Sequence, residues 1–311
     1  MSFLPRDFIE TPERLIFAVV DGRIEDGRVL CFLRYAPAAG KLRKMGTEAA
    51  NALLAAQFPA YLYASRQLDT RLHGVPLPRI RRHYRPGERA RELLREPPGD
   101  AQEEQAIRLL KLLGGRGLDL DSVGVTGSLL IGAQTPASDL DLVIYGREAF
   151  FQARNVIRHA IEAGILDALD EASWREAHGR RGCELGFEDY LWHERRKFNK
   201  GLIHGTKFDI TLLGENPPAE AGPVRKLGVR VIRAKVVDDR HAYDCPAIYR
   251  LDHPEIEVAL SFTQTYAGQA EAGETVEISG LLEQAESGRR HIVVGTSREA
   301  PGEYIKVLPN R

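Results

Sequence analysis

A Gly-Ser pair and three aspartates are the residues of this chain whose types and spacing could do chemistry. Val125-Thr126-Gly127-Ser128 is followed, after ten residues, by Asp139-Leu140-Asp141-Leu142-Val143-Ile144-Tyr145, and a third carboxylate stands in Phe208-Asp209-Ile210. Side chains alternate along a strand, so Asp139 and Asp141 share one face about 7 Å apart, while Leu140, Leu142 and Ile144 take the other and anchor it in a core. Neighbouring carboxylates repel and are costly to desolvate unless a cation or hydrogen-bond donors compensate them. A hard cation such as Mg²⁺ takes oxygen ligands of this kind together with phosphates. Gly127 permits a close backbone approach just after a strand, and a following helical turn offers free N–H groups, joined by the Ser128 hydroxyl, to a phosphate. With Asp209 flanked by apolar residues in the same style, three carboxylates make a two-metal site chemically reasonable.

The elements that must position these groups can be read on either side of them. Residues 121–126 and Leu140–Tyr145 read as strands, the second apolar nearly throughout, as a strand covered on both faces would be. Ahead of them, Ile107, Leu109, Leu110, Leu112 and Leu113 recur at helical spacing and Gly114-Gly115 ends the helix. Helical stretches are expected over roughly 147–172 and 187–200, before a strand at 207–214. Strands and helices interleaved in this order indicate an α/β (α+β) domain over residues 101–214.

Residues 1–100 form an expected N-terminal α+β lobe. It contains a hairpin across 13–35 and a helix over 47–58, and its boundary is set by Pro97, Pro98 and Gly99. The three prolines of residues 215–223 read as a linker. Beyond it, 223–311 shows short alternating strands separated by Gly, Asp or Pro, the pattern of a small all-β, barrel-like domain, with an OB-like barrel one form it could take.

Composition narrows the function classes. Lysine and arginine total 43 against 44 acidic residues, so the net charge of −1 gives no bulk attraction to nucleic acid or anionic lipid, and any such attraction must be local. No apolar stretch approaches the roughly 20 residues that cross a bilayer, and the acidic N-terminus lacks a secretory pattern, so a soluble cytoplasmic protein is expected, with no membrane partner. Cys31, Cys183 and Cys245 lie far apart and read as reduced structural thiols. His193, His204 and His241 show no close ligand spacing and are left out of the site.

Local basic groups are present. Arg195, Arg196, Lys197, Lys200 and Lys207 precede Asp209 with Phe198 and Phe208 interleaved. Lys200 and Lys207 are the strongest candidates for neutralising a triphosphate or steering a phosphate backbone. The alternative is a solvated helix face paired with Glu188, Asp189 and Glu194. A second run, from Arg79 to Arg91, is mixed with Glu88 and Glu92 in the manner of a solvated helix. A third cluster, with Arg225, Lys226, Arg230, Arg233 and Lys235, opens the C-terminal segment.

The string Gly127-Ser128, a spacer and Asp139-x-Asp141 resembles the signature of the DNA polymerase β-type nucleotidyltransferase superfamily, over about residues 101–214. The resemblance implies that Gly127 and Ser128 bind the triphosphate of an NTP, that Asp139 and Asp141 coordinate Mg²⁺ or Mn²⁺, and that Asp209 completes the site and activates the attacking hydroxyl. It also implies transfer of an NMP to a hydroxyl with release of pyrophosphate. RNA, such as a tRNA end, is the expected acceptor, and a protein or small-molecule hydroxyl is next. A catalytically silent nucleotide- or RNA-binding module is the alternative.

Overall fold

The structure, a computed structural model, describes residues 2–66, 68, 70–214, 224–296 and 300–309. It is a mixed α+β protein whose strands form three sheets, and it divides into two compact units, Met1–Tyr145 with Ile203–Ile210 and Gly146–Leu202 with Thr211–Arg311.

The first unit opens with strands β1 (Phe8–Glu10), β2 (Ile16–Glu25), β3 (Arg28–Ala38) and β4 (Lys41–Lys44), followed by helix α1 (Thr47–Gln57). Strands β5 (Leu62–Ser65), β6 (Thr70–Pro76) and β7 (Arg82–Tyr84) complete a sheet of order β5-β6-β3-β2-β1-β7, with β4 paired to β3. The expected hairpin is β2–β3, turned at Asp26-Gly27, both with positive φ (49° and 70°), as the tight turns between twisted strands require. Ala50 and Leu54 of α1 pack with Phe17, Val29 and Val75 of the sheet.

Helix α2 (Pro86–Arg95) has proline at its start, where no N–H is needed. Helix α3 (Ala101–Gly115) is capped by Asp100, which accepts from the Glu103 amide at 2.9 Å, while the Glu103 carboxylate accepts from the Gly99 amide at 2.8 Å. Strand β8 (Val123–Thr126), the one-turn helix α4 (Gly127–Leu130) and strand β9 (Leu140–Tyr145) follow.

The helical stretch expected over 147–172 is instead two helices, α5 (Arg147–Glu162) and α6 (Glu171–Arg181). Gly164, at φ 68°, follows the end of the first, and Asp170 caps the second through the Ser173 amide at 2.8 Å. Helix α7 (Phe187–Arg195) stops short of the expected 200; Phe198 beyond it has a positive φ of 48°, which a helix cannot continue through, and Lys200 opens strand β10 (Lys200–Ile203). The His204-Gly205 turn, again with both φ positive, leads into β11 (Thr206–Leu213), and the second sheet has the order β10-β11-β9-β8.

The third sheet comprises β12 (Val224–His241), β13 (Ala247–Asp252), β14 (Val258–Ser261), β15 (Thr275–Ala285), β16 (Arg290–Val294) and β17 (Tyr304–Val307). Its order is β12-β13-β14-β16-β15-β17, β14 lies parallel to β16, and β15 pairs again with β12. Its core takes Trp174 of α6 and Tyr190 of α7 among Val236, Tyr249, Ile278 and Val294. The expected linker, 215–223, lies outside the described residues.

A buried ion pair lies inside the second unit. Lys197 is buried, and its ammonium donates to Glu194 Oε1 at 2.6 Å and to the Thr265 carbonyl at 2.8 Å, while the second Glu194 oxygen takes Lys200. Burial alone would raise the Glu194 carboxyl, but the Lys197 and Lys200 ammoniums win and hold it well below the usual range. A carboxylate depressed in the folded state contributes stability above its ordinary value, about 4.5, and loses it as the pH falls. We therefore predict that Glu194→Gln, which leaves two ammoniums facing a neutral amide, costs about 3–5 kcal/mol by denaturant unfolding at pH 7. The deficit should shrink as the pH drops below 4; a deficit that does not change with pH contradicts the assignment.

Candidate active site

The carboxylate site is built in the first unit by the pairing of β8 and β9. In this antiparallel pair Val125 faces Leu142 and Thr126 faces Asp141, so the Gly-Ser turn begins beside the second aspartate. Gly127 has φ 67°, a left-handed conformation that disfavours any side chain. A Cβ on it would collide with the Asp141 carboxylate, so the glycine is required twice over, by its backbone and by the space Asp141 occupies.

Helix α4 is braced from several sides. Arg89 of α2 donates through Nε to the Leu129 carbonyl at 2.9 Å and pairs with Glu103. A Cβ on Gly124 of β8 would lie 2.6 Å from Pro86 Cβ and 2.9 Å from Val143 Cγ2, so glycine allows α2 to seat tightly on the strand. Leu130 packs with Phe8, Ile16 and Tyr35 of the first sheet, and the Thr126 hydroxyl donates to the Arg6 carbonyl at 2.9 Å. Part of the basic run read from the sequence is thus structural: Arg89 holds the turn, Arg79 pairs with Glu13 and Arg85 with Glu88. Arg81 and Arg82, with Arg14, Tyr84 and Ile131, line a cavity of about 550 Å³ in this unit.

Asp141 lies on β9, Asp139 one residue before it, and Asp209 on the neighbouring strand β11. Asp209 is partly buried between the buried Phe208 and Ile210, the same arrangement as Asp141 between Leu140 and Leu142. Burial, then the Asp209 charge, push the Asp141 carboxyl up to about 7, with Asp139 adding to the effect and Arg6 and Lys44 opposing it. The charges of Asp209 and Asp139 therefore both act on Asp141. Among the described residues no three His, Cys, Asp or Glu side chains form a group that could hold a metal ion as they stand. The donor chemistry, hard oxygens that destabilise each other without a cation, fits a divalent ion. Asp139, Asp141 and Asp209 would hold it once their side chains converge.

The remaining candidates divide. Lys207 shares the Asp209 face of β11, two residues away, as the alternating burial of that strand requires. Lys200 belongs to the second unit, where its ammonium is bonded to Glu194 and lies 5.6 Å from the Trp174 ring centre. Ser128 is partly exposed beside Gly127. His193 is buried, with Nδ1 2.6 Å from the Asp189 carbonyl and Nε2 accepting from the Val307 amide at 3.0 Å. It is a core histidine held neutral, as burial pulls its pKa down to about 4. Arg6 and Lys44, cations that act on Asp141, escaped the sequence reading because Arg6 stands outside any motif and Lys44 closes the short basic stretch Lys41-Leu42-Arg43-Lys44, far in sequence from the aspartates.

Two predictions follow from this geometry. Gly127→Ala should cost about 1–3 kcal/mol of stability through the strained backbone and displace Asp141, lowering turnover at least tenfold; a variant with wild-type turnover would show that the contact has no role. Because the Asp141 pKa is raised on folding, its ionisation opposes folding, and stability falls as the pH rises from about 4 toward about 7. Without metal, Asp141→Asn should be more stable than wild type by on the order of 1–3 kcal/mol at pH 8 and lose that advantage at pH 4, measured by urea unfolding.

Comparison with known proteins identifies a family over this segment of the chain. The nucleotidyltransferase domain family matches residues 107–179, which span β8, the Gly127-Ser128 turn, Asp139 and Asp141. Uncharacterized protein MJ1086 of Methanocaldococcus jannaschii is 34% identical over 333 residues, covering 97% of this chain and 98% of its own. No solved structure matches the chain. No helix among the described residues is long and apolar enough to cross a membrane. With a transferase domain placed over the two strands that bring Gly127 against Asp141, the chain belongs to the DNA polymerase β-type nucleotidyltransferase superfamily.

Proposed function

We propose that this protein transfers an NMP from an NTP to a hydroxyl on RNA, such as a tRNA end, and releases pyrophosphate. The observation that carries the reading is the apposition of the Gly127 backbone to the Asp141 carboxylate, which burial and the charges of Asp209 and Asp139 hold in its protonated form more than an ordinary aspartate. Mg²⁺ or Mn²⁺, held by Asp139, Asp141 and Asp209, would stabilise the charge on the transferring phosphoryl group.

In this reading the Gly127 and Ser128 backbone and the Ser128 hydroxyl bind the triphosphate, and Lys207, beside Asp209, lowers the local negative charge. The acceptor oxygen attacks the α-phosphorus, the bond to the β-phosphate bridging oxygen breaks, and Asp209 accepts the hydroxyl proton. Residues 101–214 act as the catalytic segment, while 1–100 and 223–311 choose the acceptor.

An RNA acceptor is supported by the third sheet. Its pairings run β12-β13-β14-β16-β15 and return to β12, with β14 parallel to β16, which favours an OB-like closed barrel. Arg225, Lys226, Arg230 and Lys235 are exposed along β12, available to a phosphate backbone.

Incubation with each α-labelled NTP, Mg²⁺ or Mn²⁺ and total RNA tests the proposal. Label should enter RNA, and Asp209→Asn should lower the yield by at least a hundredfold. Label on polypeptide or a small molecule instead would reassign the acceptor, and no label in any product would leave a nucleotide-binding module.

A further inference from the structure

The second unit contains a cavity of about 480 Å³ that the carboxylate chemistry does not use, lined by Arg154, Arg158, Trp192, Arg196, Phe198 and Glu274. Its volume is in the range of sites that hold small molecules. Arg154 and Arg158 stand four residues apart on α5 and so present neighbouring guanidiniums.

Arg154 is fixed in place. Its Nε donates to the Lys197 carbonyl at 2.6 Å, and its guanidinium lies 4.3 Å from the Tyr243 ring centre. The Arg158 Nε is buried with no hydrogen-bond partner, a donor whose desolvation nothing in the described residues offsets. Neither arginine forms an ion pair among the described residues. The nearby acids are already committed, since Arg196 grips Glu274 through two bonds of 2.7 Å and approaches Glu271 at 3.6 Å. Arg196 also stacks 4.5 Å from the Trp192 ring centre, and that indole remains 50% exposed, a large aromatic surface beside two guanidiniums, with Glu271 acting on Arg154 only through space.

We propose that this cavity binds a phosphate ester carrying a nucleobase, with the phosphate between Arg154 and Arg158 and the base against Trp192. A phosphate supplies acceptors for the unpartnered Arg158 donor and neutralises two like charges at once. An indole face stacks on any base, which makes the site tolerant of base identity. The ligand is either a free nucleotide or a nucleotide unit of RNA, and the inference does not depend on the carboxylates of the first unit.

The test uses the full chain carrying Asp139→Asn and Asp141→Asn, with EDTA, so that binding at the carboxylate site is suppressed. AMP, a 5′-phosphorylated oligoribonucleotide, adenosine and inorganic phosphate are titrated by calorimetry and by tryptophan fluorescence. AMP or the oligoribonucleotide should bind saturably and quench Trp192, with adenosine and phosphate at least tenfold weaker. Arg158→Gln and Trp192→Ala, each checked for folding by circular dichroism, should each weaken binding at least tenfold, and Trp192→Ala should also abolish the quench. Tighter binding of the oligoribonucleotide identifies RNA as the source, and tighter or equal binding of AMP identifies the free nucleotide. The proposal is overturned if neither nucleotide binds, or if affinity is unchanged in either folded variant.

Discussion

Gly127 and Asp141 meet across two paired strands with no room for a methyl group between them, and the architecture of the first unit serves that contact. Thr126 opposite Asp141 fixes the register, and a slip by one residue would turn the aspartate into the core and a leucine into the site. Pro86 against Gly124, Arg89 on the Leu129 carbonyl and Leu130 in the apolar cluster of the first sheet all press on the same short segment. A four-residue helix could not hold its position alone, since isolated turns of this length are unstable. Tertiary bracing is what keeps it beside the carboxylates.

The same contact explains why the site is uncomfortable without a cation. Asp141 is desolvated by its neighbours and lies within the field of Asp209 and Asp139, and Arg6 and Lys44 oppose this. Groups held out of their preferred protonation state concentrate where chemistry is done, because the stability lost there is recovered on binding a ligand of opposite charge. The second unit presents the contrasting case. Glu194 is more deeply buried than Asp141, yet Lys197 and Lys200 compensate it within the fold, so it makes no demand on a ligand.

Much of this was legible in the sequence where local patterns carry the physics. The β2–β3 hairpin, α1, α3 and the alternation around Asp141 and Asp209 follow from turn residues, caps and period, and the structure has them where the patterns put them. The helical reading across 147–172 failed because Gly164 and Asp170 end one helix and start another within a run of good helix formers. Lys200 looked available to a phosphate in the sequence, but its bond to Glu194 depends on how a helix end and a strand start are brought together, which spacing alone does not specify. Arg6 and Lys44 were invisible for a related reason, since a cation that acts through space needs no motif.

The proposal that Asp139, Asp141 and Asp209 together take up a divalent cation with a triphosphate is tested most directly by calorimetric titration of Mn²⁺ into the protein with a non-hydrolysable NTP. At pH 8 the wild type should bind Mn²⁺ saturably, and at pH 6 binding should weaken and release a proton into the buffer as Asp141 ionises, while Asp141→Asn should show neither effect. Equal Mn²⁺ uptake by wild type and Asp141→Asn at both pH values would contradict the account.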